Sequence, residues 1–453
     1  MSRGADKQPA EPNDAGRSET VRPSFAEAFR FWLKLGFVSF GGPSGQIAIM
    51  QTELVDQKRW ISQSRFLHAL NYCMLLPGPE AQQLAIYIGW VLHRTAGGVV
   101  AGALFVIPSM FILWGLSFVY AAYGSIPWIA AIFYGFKPVV VAIVAVALIR
   151  IGSRALKNEV LYSLAALAFV ALFFFKVPFP IIIIGAGVIG FVGGKLSPSK
   201  FDVISGHQAK SSPQESPERW MDASTAHTKP RLSRDIRIAI CCLTIWWLPV
   251  ILAAVLLGPR HSIFQEGLFF SKAAVVTFGG AYAVLPYVTQ HAVQNFGWLK
   301  PGQMMDGLGL AETTPGPLIM VLQFVGFMGG WTHPGNLSPL VAATLGALIT
   351  TWVTFTPCFL WILVGAPHIE QLRGNKTLSM TLSAITAAVV GVILNLAIWF
   401  ALHVFYPTEG VIDWFAIALA LLAAFALMRF KIEIFLVVII GGIAGLIWRG
   451  ISG

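Results

Sequence analysis

The chain has 453 residues, 56% of them hydrophobic and 11% charged, with a mean hydropathy of +0.71. Soluble proteins carry about 25% charged residues, and a soluble core could not hide this much apolar surface, so a soluble globular fold is excluded. The net charge of +10 fits basic loops at a membrane face, and nucleic acid is not expected as a partner.

Apolar runs such as Val139–Leu148 and Ile181–Val192 suit bilayer spans of about 20 residues better than core helices. The short alternating segments of a β-barrel are missing. The expected fold is therefore an all-α polytopic integral membrane protein. Residues 1–24 are polar and mixed in charge, and we expect a disordered cytoplasmic tail there. A first repeat covers residues 25–196, with segments expected at Phe25–Met50, Phe66–Leu92, Val99–Tyr120, Trp128–Ile149, Val160–Phe175 and Phe179–Gly194. Residues 197–234, rich in Ser, Pro, Lys and Arg, read as a cytoplasmic linker. One connecting transmembrane helix follows within residues 235–260. A second repeat covers residues 261–453, with segments at Gly267–His291, Met304–Gly330, Leu340–Val364, Leu378–Leu402, Trp414–Met428 and Ile432–Ile447, which makes about thirteen in all.

The two halves are copies. Phe40-Gly41-Gly42 recurs as Phe278-Gly279-Gly280, Trp60 as Trp298, Pro77-Gly78-Pro79 as Pro315-Gly316-Pro317, and Lys34 as Lys272, all at one offset of 238 residues (278 − 40). A gapless match over that length signals duplication. The single connecting span makes the second copy enter from the opposite face, so the copies are inverted repeats, an architecture common among secondary transporters. Basic residues at His93-Arg94, Arg150, Arg154, Lys157, 195–237, Arg373, Lys376, Arg429 and Lys431 then share one face, as cytoplasmic loops should. The turn holding Lys58, Arg59 and Arg65 falls on the wrong face in this count. Either its charges do not set topology or its hairpin turns back without crossing.

The motifs FVSFGGPSGQIAIM and LNYCMLLPGPEAQQLAIYIGW, repeated as VVTFGGAYAVLPYV and LAETTPGPLIMVLQFVGF, resemble those of the chromate ion transporter family in its long, two-half form. The resemblance covers nearly the whole chain outside tail and linker. It implies a secondary transporter that exports chromate across the bacterial cytoplasmic (inner) membrane and confers chromate resistance. It also implies a link to sulfate, a dianion of similar shape. Proton coupling and sulfate exchange are both open, as is an oxyanion carrier with incidental chromate transport. So is the oligomeric state, a homodimer included. An enzyme is not expected. No nucleotide-binding loop, Walker motif, haem or Fe–S ligand spacing is present, and the four Cys give no disulfide or zinc pattern. No cofactor or metal is expected.

A tetrahedral dianion in a bilayer needs its charge offset, and helix N-termini at mid-depth can do this with free N–H groups and a positive dipole end. Pro77-Gly78-Pro79 and Pro315-Gly316-Pro317 should each break a span, and Gly41, Gly42, Pro43, Gly279 and Gly280 should give bare backbone for close approach. We expect the four breaks to converge near the midplane as the substrate site. The alternative is that they only kink helices for packing. Lys34 and Lys272 are expected charge partners, or else snorkel to headgroups. Lys137 is a third cation, without repeat support. Gln46, Gln82 and Gln83 could donate to oxyanion oxygens. Glu80 and Glu312 flank the two breaks, and an acid beside an anion site suits proton coupling. As an alternative, Glu80 only caps a half-helix. His68 and Asp306 hold matched positions. Trp60, Trp90, Trp298 and Trp331 are expected at the membrane interface.

Overall fold

The computed structural model describes residues 23–40, 42–201, 232–368, 376–408 and 411–452. The expected tail and residues 202–231 of the linker lie outside them, as does Gly41. Among the described residues there is no strand, and the helices are α1 Phe25–Val38, α2 Gly42–Gln51, α3 Gln63–Cys73, α4 Glu80–Tyr123, α5 Pro127–Ala155, α6 Glu159–Phe173, α7 Phe179–Leu196, α8 Leu232–Leu257, α9 Ser262–Val276, α10 Ala281–Thr289, α11 Pro301–Thr313, α12 Val321–Thr332, α13 Pro339–Gly365, α14 Lys376–Phe405, α15 Trp414–Phe425 and α16 Ile434–Ser452. The linker is helical at its ends, in one turn at Pro198–Phe201 and at the start of α8. Among the described residues, seven helices are long and apolar enough to cross a membrane, and α6, α12 and α15, the last two with their flanking turns, are shorter apolar helices.

The first expected segment of each repeat does not cross. A continuous helix rises 1.5 Å per residue, which would put Phe31 and Trp60 about 40 Å apart. Their ring centroids are 5.4 Å apart. The repeat equivalents Phe269 and Trp298 lie 5.8 Å apart. So α1–α2 and α9–α10 are re-entrant hairpins whose tips lie at the glycine breaks. The next segment also turns back. The backbone leaves helical geometry at His93 and Arg94 inside α4. The His93 ring packs edge-on against Phe25 at 5.4 Å, and its Nε2 lies 3.1 Å from the Pro23 carbonyl. Residues 23 and 93 therefore share a face. In the second repeat Ser262 Oγ donates to the His333 carbonyl at 2.8 Å, which closes α9–α12 on the opposite face in the same way.

Two hairpins per repeat thus enter and leave on one side. This resolves the misplaced charges, because Lys58, Arg59 and Arg65 sit on the same face as His93 and Arg94. The Trp expectation needs correction. Trp60, Trp90 and Trp298 are nearly fully buried, because they lock the hairpins from within. Trp298 stacks on Phe296 at 4.3 Å and Trp60 packs on Phe31.

The remaining helices form the scaffold. Local signals set their starts: Asn158 caps α6 through Leu161 N–H and Asp413 caps α15 through Ala416 N–H. The repeats exchange their final helices. α5 packs on α15 and α16, while its counterpart α14 packs on α6 and α7. Small residues permit this: Gly135 of α5 lies directly on Gly441 of α16, and Gly391 of α14 on Ala165 of α6. The intertwining holds both sets of hairpins against one shared framework.

Candidate functional site

Each hairpin tip is a helix break, and the tips meet. The Gly78 N–H donates to the Thr277 carbonyl at 2.8 Å, and the Gly316 N–H donates to the Ser39 carbonyl at 2.7 Å. The two bonds are equivalent under the 238-residue offset, so each repeat's proline–glycine break clasps the other repeat's glycine break. Gly78 (φ +115) and Gly316 (φ +104) lie in the left-handed region, as do Gly42, Gly279 and Gly280, which a side chain would strain.

These bonds sort the charges of the broken ends. Ser39 and Thr277 close the C-terminal ends of α1 and α9, where carbonyls are unsatisfied and the dipole is negative. The partner repeat's N–H groups occupy those carbonyls. The N-terminal ends are left facing a common space. One small cavity is lined by Pro43 and Gln46 of α2, by Pro79, Glu80 and Ala81 at the start of α4, by Ala281 at the start of α10, and by Pro317, Leu318 and Ile319 leading into α12. All four half-helix N-termini therefore open onto it. Its volume of about 10 Å³ is room for roughly one water.

Side chains differ between the halves. Buried Gln46 donates Nε2 to the Gly316 carbonyl at 2.6 Å and to the Ser39 carbonyl at 3.4 Å, and its Oε1 has no partner. Its equivalent is Val284. The Glu80 carboxyl stands over Gly280, both oxygens 3.8 Å from where a Cβ would be, and its equivalent is Leu318. Glu312 is buried one turn before the second break and accepts the Tyr282 hydroxyl at 2.6 Å, outside the cavity lining.

Other residues singled out in the sequence lie elsewhere. Lys34 is 62% exposed and pairs with Glu53 at 2.9 Å, and Lys272 is exposed; neither lines the cavity. Gln82 donates to the Gly102 carbonyl at 3.4 Å, joining the two limbs of α4, and Gln83 donates to the Pro77 carbonyl at 2.7 Å, bracing the break. Pro77 and Pro315 shape the breaks without lining the cavity. Lys137 Nζ lies 3.9 Å from buried Asp306, which also accepts the Tyr120 hydroxyl at 2.8 Å. Tyr120, with Lys300 and Gln303, borders a separate vestibule of about 720 Å³ beside the Trp298 turn. No sequence signal singled out that vestibule, because its wall is assembled from both repeats.

Paired inverted repeats, re-entrant hairpins and a cavity at the meeting of broken helices define a membrane transport protein of the inverted-repeat class. The chain belongs to the chromate transporter family, whose profile matches residues 26–191 and 263–446. It is 30% identical over 97% of its length to the chromate transport protein of Pseudomonas aeruginosa, covering 96% of that protein. It is 27% identical to the chromate transport protein of Cupriavidus metallidurans, covering 94% of this chain and 93% of that one. It is 26% identical to the probable chromate transport protein of Synechococcus elongatus, covering 94% and 97%. No solved structure matches the chain.

Proposed function

We propose that this protein moves chromate out of the bacterial cytoplasm across the inner membrane, by alternating access around the cavity between the hairpin tips. The observation that carries this reading is the convergence of four half-helix N-termini on one enclosed space. Their free N–H groups and dipole ends offer positive potential to a dianion without a buried lysine. The basic face, with Arg59, Arg94 and Arg154, is cytoplasmic on this reading.

The cavity as described admits about one water, so it represents an occluded arrangement. A tetrahedral dianion enters only when the tips separate and the clasp at Gly78 and Thr277, or its equivalent at Gly316 and Ser39, lets go. Glu80 sits where substrate must come. Its negative charge and the dianion exclude one another, so entry of chromate favours the protonated acid and return of the empty carrier favours its release. This is a proton-coupled cycle in which Glu80 holds its proton while the dianion is bound and gives it up once the site is empty. Sulfate shares the shape and charge of chromate and is the competing cargo.

The test is flux into proteoliposomes holding the purified full chain. Chromate, sulfate and molybdate are offered under imposed pH gradients. Chromate flux that follows the gradient, and a Glu80→Gln protein that still exchanges chromate but ignores the gradient, are expected. Flux of sulfate or molybdate with none of chromate refutes the assigned cargo, and unaltered gradient dependence in Glu80→Gln refutes the coupling role.

A further inference from the structure

Glu266 is a buried acid that lies outside the transport site. It lies on α9, one turn into the second repeat's first hairpin, and is fully buried. Neither carboxyl oxygen has a hydrogen-bond partner. The carboxyl is wedged between α12 and α13. A Cβ on Gly329 of α12 would strike Oε1, and one on Gly346 of α13 would lie 2.6 Å from Oε2. One turn further along α13, the Thr350 hydroxyl is also fully buried and without a partner as a donor or acceptor, and it presses on Gly326 of α12. Glycines at 326, 329 and 346 thus leave a slot shaped for one carboxyl, with one hydroxyl beside it.

Among the described residues, no countercharge faces that slot. α12 carries no titratable side chain, and on α13 the sole such residue is Cys358, two turns beyond Thr350. α8 meets α9 at Val250 against Gly267, and its own titratable groups, Arg234, Asp235, Arg237, Cys241 and Cys242, all lie toward its other end. α10 contributes Tyr282, bonded to Glu312, and Tyr287, whose ring packs on Phe269. His291 also packs its ring on Phe269, at 5.2 Å. On α9 itself, His261 caps the helix and Lys272 is exposed. His333 lies at the end of α12, with its ring beside the Thr332 hydroxyl.

An ionised carboxylate with neither a cation nor a protein donor beside it is not tolerated in such a seam. The neutral acid is tolerated, since its hydroxyl can donate to a backbone carbonyl of the glycine-lined wall. We propose that Glu266 is a second proton-binding site, separate from the substrate cavity, that carries its proton in the occluded arrangement and releases it when α12 moves off α13. The link to transport is direct in the fold. α12 follows the Pro315-Gly316-Pro317 break through the single 3-10 turn Leu318–Met320, so the helix that covers Glu266 runs on directly from the segment that lines the cavity. Losing the proton puts a bare charge in the seam and drives α12 and α13 apart; taking it up lets the seam close. This rests on the transport reading for its consequence, and on the slot alone for the proton.

Infrared spectroscopy of the purified full chain separates the two. The wild-type protein at neutral pH should show the carbonyl stretch of a protonated carboxylic acid, reduced in Glu266→Gln and titrating away in wild type at alkaline pH. In proteoliposomes Glu266→Gln, which copies the shape of the neutral acid, should retain anion exchange at equal pH on both sides while losing at least tenfold of the gradient-driven flux. The same band intensity in wild type and Glu266→Gln overturns the proton site. A reduced band with gradient-driven flux at the wild-type level overturns its role in coupling. If no tetrahedral oxyanion is carried by wild type, the transport reading fails while the infrared result still decides whether Glu266 holds a proton. If Glu266→Gln does not fold, the wild-type band decides instead. The proposal stands if that band disappears together with exposure of α12 amides to hydrogen exchange, and falls if the two are unlinked.

Discussion

Replacing Gly316 by Ala tests whether the second break is a packed, strained junction. The residue holds φ at +104, so a side chain there costs about 1–3 kcal/mol in backbone strain. The new Cβ would press on Ser109 Oγ and lie 2.5 Å from Ser109 Cβ. Ser109 is fully buried in α4 and its hydroxyl already donates to the Val106 carbonyl at 2.8 Å, so it has no free direction in which to yield. Overpacking of this kind costs about 1–3 kcal/mol more. We expect Gly316→Ala to lose about 2–6 kcal/mol in all. At compatible angles the same change would instead stabilise by about 0.4–1 kcal/mol, but these angles are not compatible. At Gly78 the same change meets Cys358 Sγ and Gln83 Nε2 at 3.0 Å each, the second at the end of a flexible side chain. Gly78→Ala should therefore be the milder variant. The assay is unfolding of the detergent-solubilised full chain, followed by tryptophan fluorescence. Ser109→Gly removes both clashing atoms, so the double variant should recover 1 kcal/mol or more relative to additive losses, of the order seen for contacting residues (about 0.5–3 kcal/mol). Equal stability of Gly316→Ala and wild type, or strict additivity with Ser109→Gly, would refute the packing account of this break.

Three further outcomes follow from the same geometry. Cysteines at the equivalent exposed positions Gln57 and Asn295 should be labelled by impermeant reagents from opposite faces, and a cysteine at His93 from the same face as Gln57; labelling of 57 and 295 from one side would break the inverted topology. Lys34→Ala should change unfolding stability by about 0–1 kcal/mol, since the Lys34 side of its pair with Glu53 is largely exposed, and a larger loss would mean that this ion pair holds the hairpin. Tyr282→Phe strips buried Glu312 of its donor and should cost about 1–3 kcal/mol by thermal unfolding, whereas an unchanged midpoint would mean that the carboxyl finds another partner.

The duplicated motifs made the inverted repeats and the helix breaks legible, because glycine and proline punctuate a helix whatever surrounds it. Hydropathy could not tell a crossing helix from a hairpin. Phe25–Met50 is about as long and apolar as a span, and the contacts of Phe31 with Trp60 and of Lys34 with Glu53 show that it doubles back. The basic turn at Lys58 and Arg59 was the one sequence signal of that reversal. Lys34 and Lys272 matched each other in the repeats, yet spacing along a helix does not say which way a side chain faces, and both face away from the cavity. Glu266 was invisible as a site because its repeat equivalent is Ala28, and its slot is made by glycines about 60 and 80 residues further along the chain.

The backbone of the core is nearly two-fold symmetric while its titratable side chains are not. The clasps from Gly78 to Thr277 and from Gly316 to Ser39 match to within 0.1 Å. Against this, Glu80 faces Leu318, Gln46 faces Val284, Asp306 faces His68 and Glu266 faces Ala28 across the repeat relation. Packing is unequal as well. α10 is buried along almost its whole length, whereas α2 is mostly half-buried. The connecting helix α8 packs on α9 and α13 and has no equivalent over the first repeat among the described residues. Symmetric clasps mean that either half could release first at equal cost to the backbone. The side chains and α8 remove that equality: α2 of the first hairpin is mostly half-buried, while α10 of the second is packed along its length and α9 carries buried Glu266. In the proposed cycle, opening by the first repeat follows the substrate beside Glu80, and opening by the second follows protonation of Glu266 on α9, so that one pair of inverted copies serves two different faces.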